Sequence, residues 1–412
     1  MNEIAQGPAM QLIDFPNLDQ LVALRHDIHA HPELAYEEHR TAEQVATTLE
    51  GWGIAVTRGV GKTGVVATLS NGNSQRAISL RADMDALPMQ EENTMPHRSR
   101  HDGRMHACGH DGHTVMLLAA AYHLHTARRF AGTVNLIFQP AEEDGAGALA
   151  MVEDRLFERF PCDAIFGMHN WPGLAVGTFV AEPGGREASC SVFTITVRGK
   201  GGHVGTPHVT TEALLAAAQI ATQIQNIVAR SLSPTDPAVV SVTRLEAGTA
   251  FNVIPDTAWL GGSVRTYDEH VLQRIEERLR HIAEHVALSY ECSMDFVFTR
   301  EMPALINDPA ATARCRRVIK DWLGEQALIT LPPLMTSEDF SFMLERRPGC
   351  YVLIGNGNDE HRDRQAALGP CALHNPHYDF NDALIPLGAS FWVRLVEDYL
   401  PVSCIKPEGD NN

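Results

Sequence analysis

The chain has 412 residues, with 33 Lys and Arg against 51 Asp and Glu, a net charge of −18, 44% hydrophobic and 20% charged residues. This balance supports a large buried core and excludes disordered, collagenous and low-complexity classes. The acidic excess argues against a nucleic-acid partner. The longest wholly apolar run, Val115–Tyr122, is far short of the roughly 20 residues a membrane span needs.

Taken from the N-terminus, residues 1–10 contain Glu3 and Pro8 without a basic segment leading into an apolar one, so they do not read as a secretory signal. Eight dispersed cysteines suggest no disulfide framework, and together these features predict a cytoplasmic location. A helix is predicted from about Leu18 to Gly51, broken by Pro32. Strands follow at Val65–Leu69 and Ile78–Ala82, then an apolar helix from about Gly112 to Phe130. Strand Val134–Phe138, a small-residue helix from Gly147 and strand Ala164–Met168 continue the alternation, which argues for a mostly parallel sheet with helices on both faces.

The pattern changes near Glu187. Strand Ser191–Val197, helix Thr211–Arg230, strands Val239–Leu245 and Trp259–Thr266, helix Glu269–Leu288 and strand Met294–Phe298 make one β-α-β-β-α-β unit, the split pattern of ferredoxin-like domains. Helix Pro309–Leu323, strand Tyr351–Ile354 and helix Leu384–Tyr399 then resume the first pattern. The expected organisation is an α/β catalytic domain in two parts, 1–187 and 303–412, interrupted by an α+β domain at 188–302.

Seven of the 20 histidines fall between His97 and His125, and position shows which of them carry chemistry. Asp83 and Asp85 lie just past a predicted strand. Cys108 and His110 occupy the loop opening the apolar helix, Glu142 and Glu143 end the next strand, and His169 ends the one after. Open α/β sheets bind ligands at the carboxyl ends of their strands, so these groups share one address. Thiolate, imidazole and carboxylate together suit zinc, cobalt, nickel or manganese rather than calcium or magnesium. Adjacent carboxylates on extended backbone point apart, so one can bind metal while its neighbour acts as a general base. His374 is a further candidate. His97, His101, His123 and His125 read as surface or packing residues, and His106 and His113 as groups that orient ligands.

Eight segments, in order, carry a resemblance: Arg81-Ala-Asp-Met-Asp-Ala-Leu-Pro88, His106 to Thr114, Phe138-Gln-Pro-Ala-Glu-Glu143, Gly167-Met-His-Asn170, Gly199-Lys-Gly-Gly-His203, Asn252-Val-Ile-Pro-Asp256, Ser337-Glu-Asp-Phe340 and Leu373-His-Asn-Pro376. The sequence resembles the dinuclear metal-dependent aminoacylase and carboxypeptidase superfamily, in the branch of hippurate hydrolase and the indoleacetyl-amino-acid hydrolases. The resemblance implies hydrolysis of the amide bond of N-acyl amino acids by water activated between two divalent metal ions, of manganese, zinc, cobalt or nickel. It implies Cys108, His110, Glu143, His169 and His374 as metal ligands, Glu142 as general base and Asp85 as an orienting group. In the inserted domain it implies His203, Asn252 and Arg265 as substrate-facing residues, and a homodimer formed through that domain. A carboxypeptidase or dipeptidase, or an N-acetyl-diaminopimelate deacetylase, would use the same motifs. A cysteine-nucleophile amidase built on Cys108 and a non-catalytic scaffold are the alternatives of other classes.

Overall fold

The computed structural model describes residues 11–143, 146–362 and 369–402; residues 1–10, read above as lacking a secretory signal, lie outside them. The chain divides into two compact units, one of residues 1–184, 307–331 and 342–412 and one of residues 185–306 and 332–341. The expected boundaries at 188 and 302 thus fall at 185 and 306. Segment 332–341, expected in the catalytic domain, groups with the smaller unit because its backbone pairs there: Leu334 N–H donates to Arg186 O and Ala188 N–H to Thr336 O, both at 2.8 Å.

The larger unit is built on a seven-stranded sheet in the order Ala55–Val60, Gly64–Asn71, Gly132–Gln139, Ala77–Asp83, Ala164–Trp171, Gly349–Gly355, Phe179–Val180. Its four central members, from Gly132–Gln139 to Gly349–Gly355, are parallel, and the outer pairings are antiparallel. Strands Ala77–Asp83 and Gly349–Gly355 are buried at every residue, as parallel strands covered on both faces must be. The two edge strands at 55–60 and 179–180 were not anticipated. The first is too polar, with Thr57, Arg58 and Gly59, to show alternation, and the second is only two residues long.

The segment around Pro32 forms two helices, Leu18–Ala30 and His39–Gly51. The apolar helix runs from His110 to Ala127, with Val115 to Ala121 all buried, because it lies between the sheet and the final helix Leu384–Tyr399. A helix apolar on every side belongs inside a core. It starts two residues earlier than the apolar pattern indicates, since its first residues, His110 and Asp111, are polar yet fully buried.

The smaller unit is a four-stranded antiparallel sheet in the order Ala238–Ala247, Thr257–Thr266, Cys190–Arg198, Ser293–Met302. Phe193, Ile195 and Val197 alternate into its core, which helices Ala213–Ile224 and Glu269–Ser289 complete. The longer helix is capped by Asp268, whose carboxylate accepts the N–H groups of His270 and Val271, as such caps do. Leu272, Ile275, Leu279, Ala283 and Ala287 form its buried stripe, with Ile282 and Val286 half-buried beside it. The other helix is shorter than Thr211–Arg230, giving way to a wider turn at Ile227–Ser231.

Candidate metal centre

In the larger unit the strand ends bring the candidate ligands together. The donor atoms of Cys108, His110 and His169 lie within 4.8 Å of one another, as do those of Cys108, Glu143 and His374, and those of His110, Glu142 and Glu143. The Cys108 Sγ to His169 Nε2 distance is 3.2 Å, and His374 Nε2 lies 3.3 Å from Glu143 Oε2.

Local structure explains each placement. Gly109 caps the buried helix at φ +97°, and a Cβ there would lie 2.1 Å from Asn170 Oδ1 and 2.4 Å from the Tyr378 hydroxyl. Only glycine serves both conformation and space, and it sets Cys108 and His110 on either side of itself. His374 also has a left-handed backbone, at φ +58°, and its N–H donates to Ala107 O at 2.8 Å, tying the C-terminal loop to the cysteine loop. Ala141, just before the glutamate pair, is left-handed as well, at φ +52°, a conformation that costs a residue with a Cβ roughly 1–2 kcal/mol.

The hydrogen bonds fix which ring nitrogens are available. His110 Nδ1 lies 2.9 Å from Asp85 O and 3.2 Å from Asp85 Oδ1, so it carries a proton and Nε2 is the nitrogen that faces the cluster. The other Asp85 oxygen accepts the Glu143 N–H at 3.0 Å. His169 Nδ1 donates to Asn170 O at 2.7 Å, which leaves its Nε2 toward Cys108. His110 Nε2 and Glu143 Oε1 are buried without a hydrogen-bond partner. Orphaned donor atoms aimed at a common point are what a cation site requires, so the residues fit a metal.

The electrostatics agree. Burial lowers the His110 imidazolium, but Asp83, Asp85 and Glu143 outweigh it and lift its pKa to about 10. The centre therefore attracts positive charge. Burial, with His113 beside it, keeps His169 neutral, far below the usual imidazole range. Burial and the Glu143 and Glu142 carboxylates push the Cys108 thiol well up. An activated thiolate needs the opposite surroundings, which argues against the cysteine-nucleophile alternative.

Asp83 is close by but otherwise engaged. Its Oδ2 accepts from Arg81 Nη1 at 2.8 Å and its Oδ1 lies 2.6 Å from His113 Nδ1. The His113 Nε2 in turn accepts the Asn170 N–H at 3.0 Å. His106, expected to orient a ligand, makes no hydrogen bond through either ring nitrogen; burial holds it neutral, with its pKa lowered to about 4. Missed by sequence reasoning were Glu38, whose carboxylate reaches Ala141, and a buried ionic cluster behind the helix start, where His29 and Arg25 meet Asp111. Nothing in the local pattern around these residues distinguishes them from surface charges.

In the smaller unit, strands Gly202–His203 and Val253–Ile254 pair, and Val204 N–H donates to Asn252 O at 3.2 Å. His203 and Asn252 thus belong to one small ribbon, with both residues exposed. Arg265 lies on strand Thr257–Thr266 and donates from Nη1 to Ser337 Oγ, rather than standing free in solvent.

The model for peptidase family M20/M25/M40 matches residues 79–398. Hippurate hydrolase of Campylobacter jejuni is 40% identical over 378 residues, 92% of this chain and 96% of its own length. The N-acetylcysteine deacetylase of Bacillus subtilis is 36% identical over 384 residues, 91% of this chain and 96% of its own. Among solved structures, a dinuclear metal binding peptidase of the M20 family from Bacillus subtilis has a TM-score of 0.82 at 33% identity, covering 94% of this chain and 99% of its own.

Proposed function

This chain belongs to peptidase family M20/M25/M40 and is a metal-dependent amidohydrolase of N-acyl amino acids, and we propose that Cys108, His110, Glu143, His169 and His374 hold two divalent ions beside Glu142. The observation that carries this reading is the convergence of thiol, imidazole and carboxylate donors around the orphaned His110 Nε2 and Glu143 Oε1. The donor set suits manganese, zinc, cobalt or nickel. When bound, such a pair supplies Lewis acidity and brings the pKa of a coordinated water down toward neutrality.

The protein's own groups do the rest. Glu142 takes the proton from the attacking water and returns it to the leaving amide nitrogen, releasing a carboxylic acid and a free amino acid. Asp85 keeps the His110 ring and the Glu143 backbone in register. In the smaller unit we assign Arg265 and Asn252 to the substrate's carboxylate, for which a guanidinium is suited. His203 serves as a donor to the developing oxyanion. Every cysteine among the described residues is a free thiol, which supports a reducing, cytoplasmic setting. The same residues contain no helix long and apolar enough to cross a membrane.

Glu142→Gln tests the mechanism. It is expected to keep its metal, measured by elemental analysis, while kcat falls by about 10²–10⁴-fold; an active variant would remove Glu142 from the reaction. For the substrate, we propose aryl-acyl and N-acetyl amino acids. A panel of N-benzoylglycine, N-acetyl amino acids, indoleacetyl conjugates and dipeptides decides between these and a carboxypeptidase.

A further inference from the structure

Glu38 is fully buried, just ahead of helix His39–Gly51 and 103 residues before Ala141. Its Oε1 accepts the Ala141 N–H at 2.9 Å and its Oε2 accepts the Thr63 hydroxyl at 2.5 Å. Neither partner is a cation. A buried carboxyl with only neutral partners is costly, and an apolar side chain would fill the same space more cheaply. What the carboxyl alone supplies is an acceptor at the point where the strand Gly132–Gln139 ends.

That point is where the backbone turns left-handed at Ala141. The Ala141 carbonyl accepts the Gly147 N–H at 3.0 Å, so Glu38 holds one side of the residue and the chain beyond holds the other. The two residues after it are the Glu142–Glu143 pair. A change in the Ala141 backbone would redirect both side chains, and displacements near 1 Å at reacting groups cost large factors in rate.

We propose that Glu38 is a positioning residue for the general base, its carboxyl holding the left-handed turn at Ala141 that presents Glu142 to the substrate. The proposal rests on the assignment of Glu142 as base. It adds a residue distant in sequence that touches neither metal ligand nor substrate.

The test combines three substitutions with a double-mutant cycle. Glu38→Ala is expected to lower kcat about tenfold or more, with KM changed less than about threefold and metal stoichiometry unchanged. Glu38→Gln retains an amide oxygen for the Ala141 N–H and is expected to keep kcat within about threefold of the parent. Ala141→Gly makes the left-handed turn inexpensive, so the loss on Glu38→Ala is expected to shrink in that background. A purely structural role would lower melting temperature without such coupling. The proposal is overturned if Glu38→Ala keeps kcat within about twofold, if Glu38→Gln is as impaired as Glu38→Ala, or if the loss is the same with Gly at 141. Should Glu38→Ala not fold, Glu38→Asp, one methylene shorter, is read instead, and an unchanged kcat overturns the proposal. Glu142→Gln is assayed alongside. Its activity would overturn the base assignment itself, whereas an inactive Glu142→Gln beside a fully active Glu38→Ala overturns only the positioning.

Discussion

The Asp85 carboxylate lies against the His110 ring through one oxygen and accepts the Glu143 backbone N–H through the other. It therefore couples the helix start to the strand end that carries the glutamates. Groups that orient metal ligands in this way typically contribute 10–100-fold to metal affinity. Asp85→Asn keeps the shape but leaves only one oxygen to accept, so metal affinity, measured by competition with a chromophoric chelator, is expected to fall by about that factor. An unchanged affinity would make Asp85 a packing residue. The sequence placed Asp85 at a strand end and paired it with the site. It could not show that Asp83, two residues earlier, is taken up by Arg81 and His113, because the first contact runs within one buried strand and the second crosses from that strand to the helix.

At the level of elements, the start of helix His110–Ala127 is held from two sides. Phe380 packs on Gly112 so closely that a Cβ there would lie 2.3 Å from the ring. The contact is with a rigid buried aromatic, so Gly112→Ala is expected to cost about 1–3 kcal/mol in urea unfolding. On the other side His29 bonds Asp111 at 2.9 Å and faces Glu91 at 3.5 Å, with Arg25, His97 and His106 nearby. Burial lowers the His29 imidazolium, but Asp111 and Glu91 outweigh it and raise the pKa from 6.5 to about 9. A raised pKa means that the folded state holds the proton more tightly than the unfolded chain. The stabilisation is complete below about pH 6.5, is lost as pH rises toward 9, and amounts to roughly 3 kcal/mol. Unfolding of chelator-treated protein followed between these limits is expected to show that loss, and His29→Gln to flatten it. The early helix start and this cluster share one cause of invisibility: polar residues are buried here through ion pairs, while hydrophobic patterning registers only apolar burial.

For the whole molecule, a metal bound only by the folded state adds stability in proportion to the logarithm of its concentration over its dissociation constant. EDTA is expected to abolish activity and lower the melting temperature together, with manganese, zinc or cobalt restoring both. A chelator-resistant enzyme sensitive to iodoacetamide would return Cys108 to the role of nucleophile. We expect a homodimer through the smaller unit, with a light-scattering mass twice that of the chain; a monomer would refute that assembly.

Most of the fold was legible in the chain because periodicity and punctuation agree. Helices Pro309–Leu323 and Leu384–Tyr399 match their predicted limits at both ends, the first because Asp308 caps it and Pro309 suits its first turn. The β-α-β-β-α-β unit and the common address of Cys108, His110, Glu142, Glu143 and His169 were readable for the same reason. Strand ends can be located from local pattern, and ligands gather there. Tertiary structure alone decided the rest. It selected which nitrogen of His110 and His169 is left free, diverted Asp83 to Arg81 and His113, joined residues 332–341 to the smaller unit, and reached from Glu38 to Ala141. Apart from the short-range bonds of Asp83 to Arg81 and of His169 to Asn170, these depend on hydrogen bonds or charge pairs between residues far apart in sequence, whose energies appear only once the backbone has brought the partners within a few ångströms.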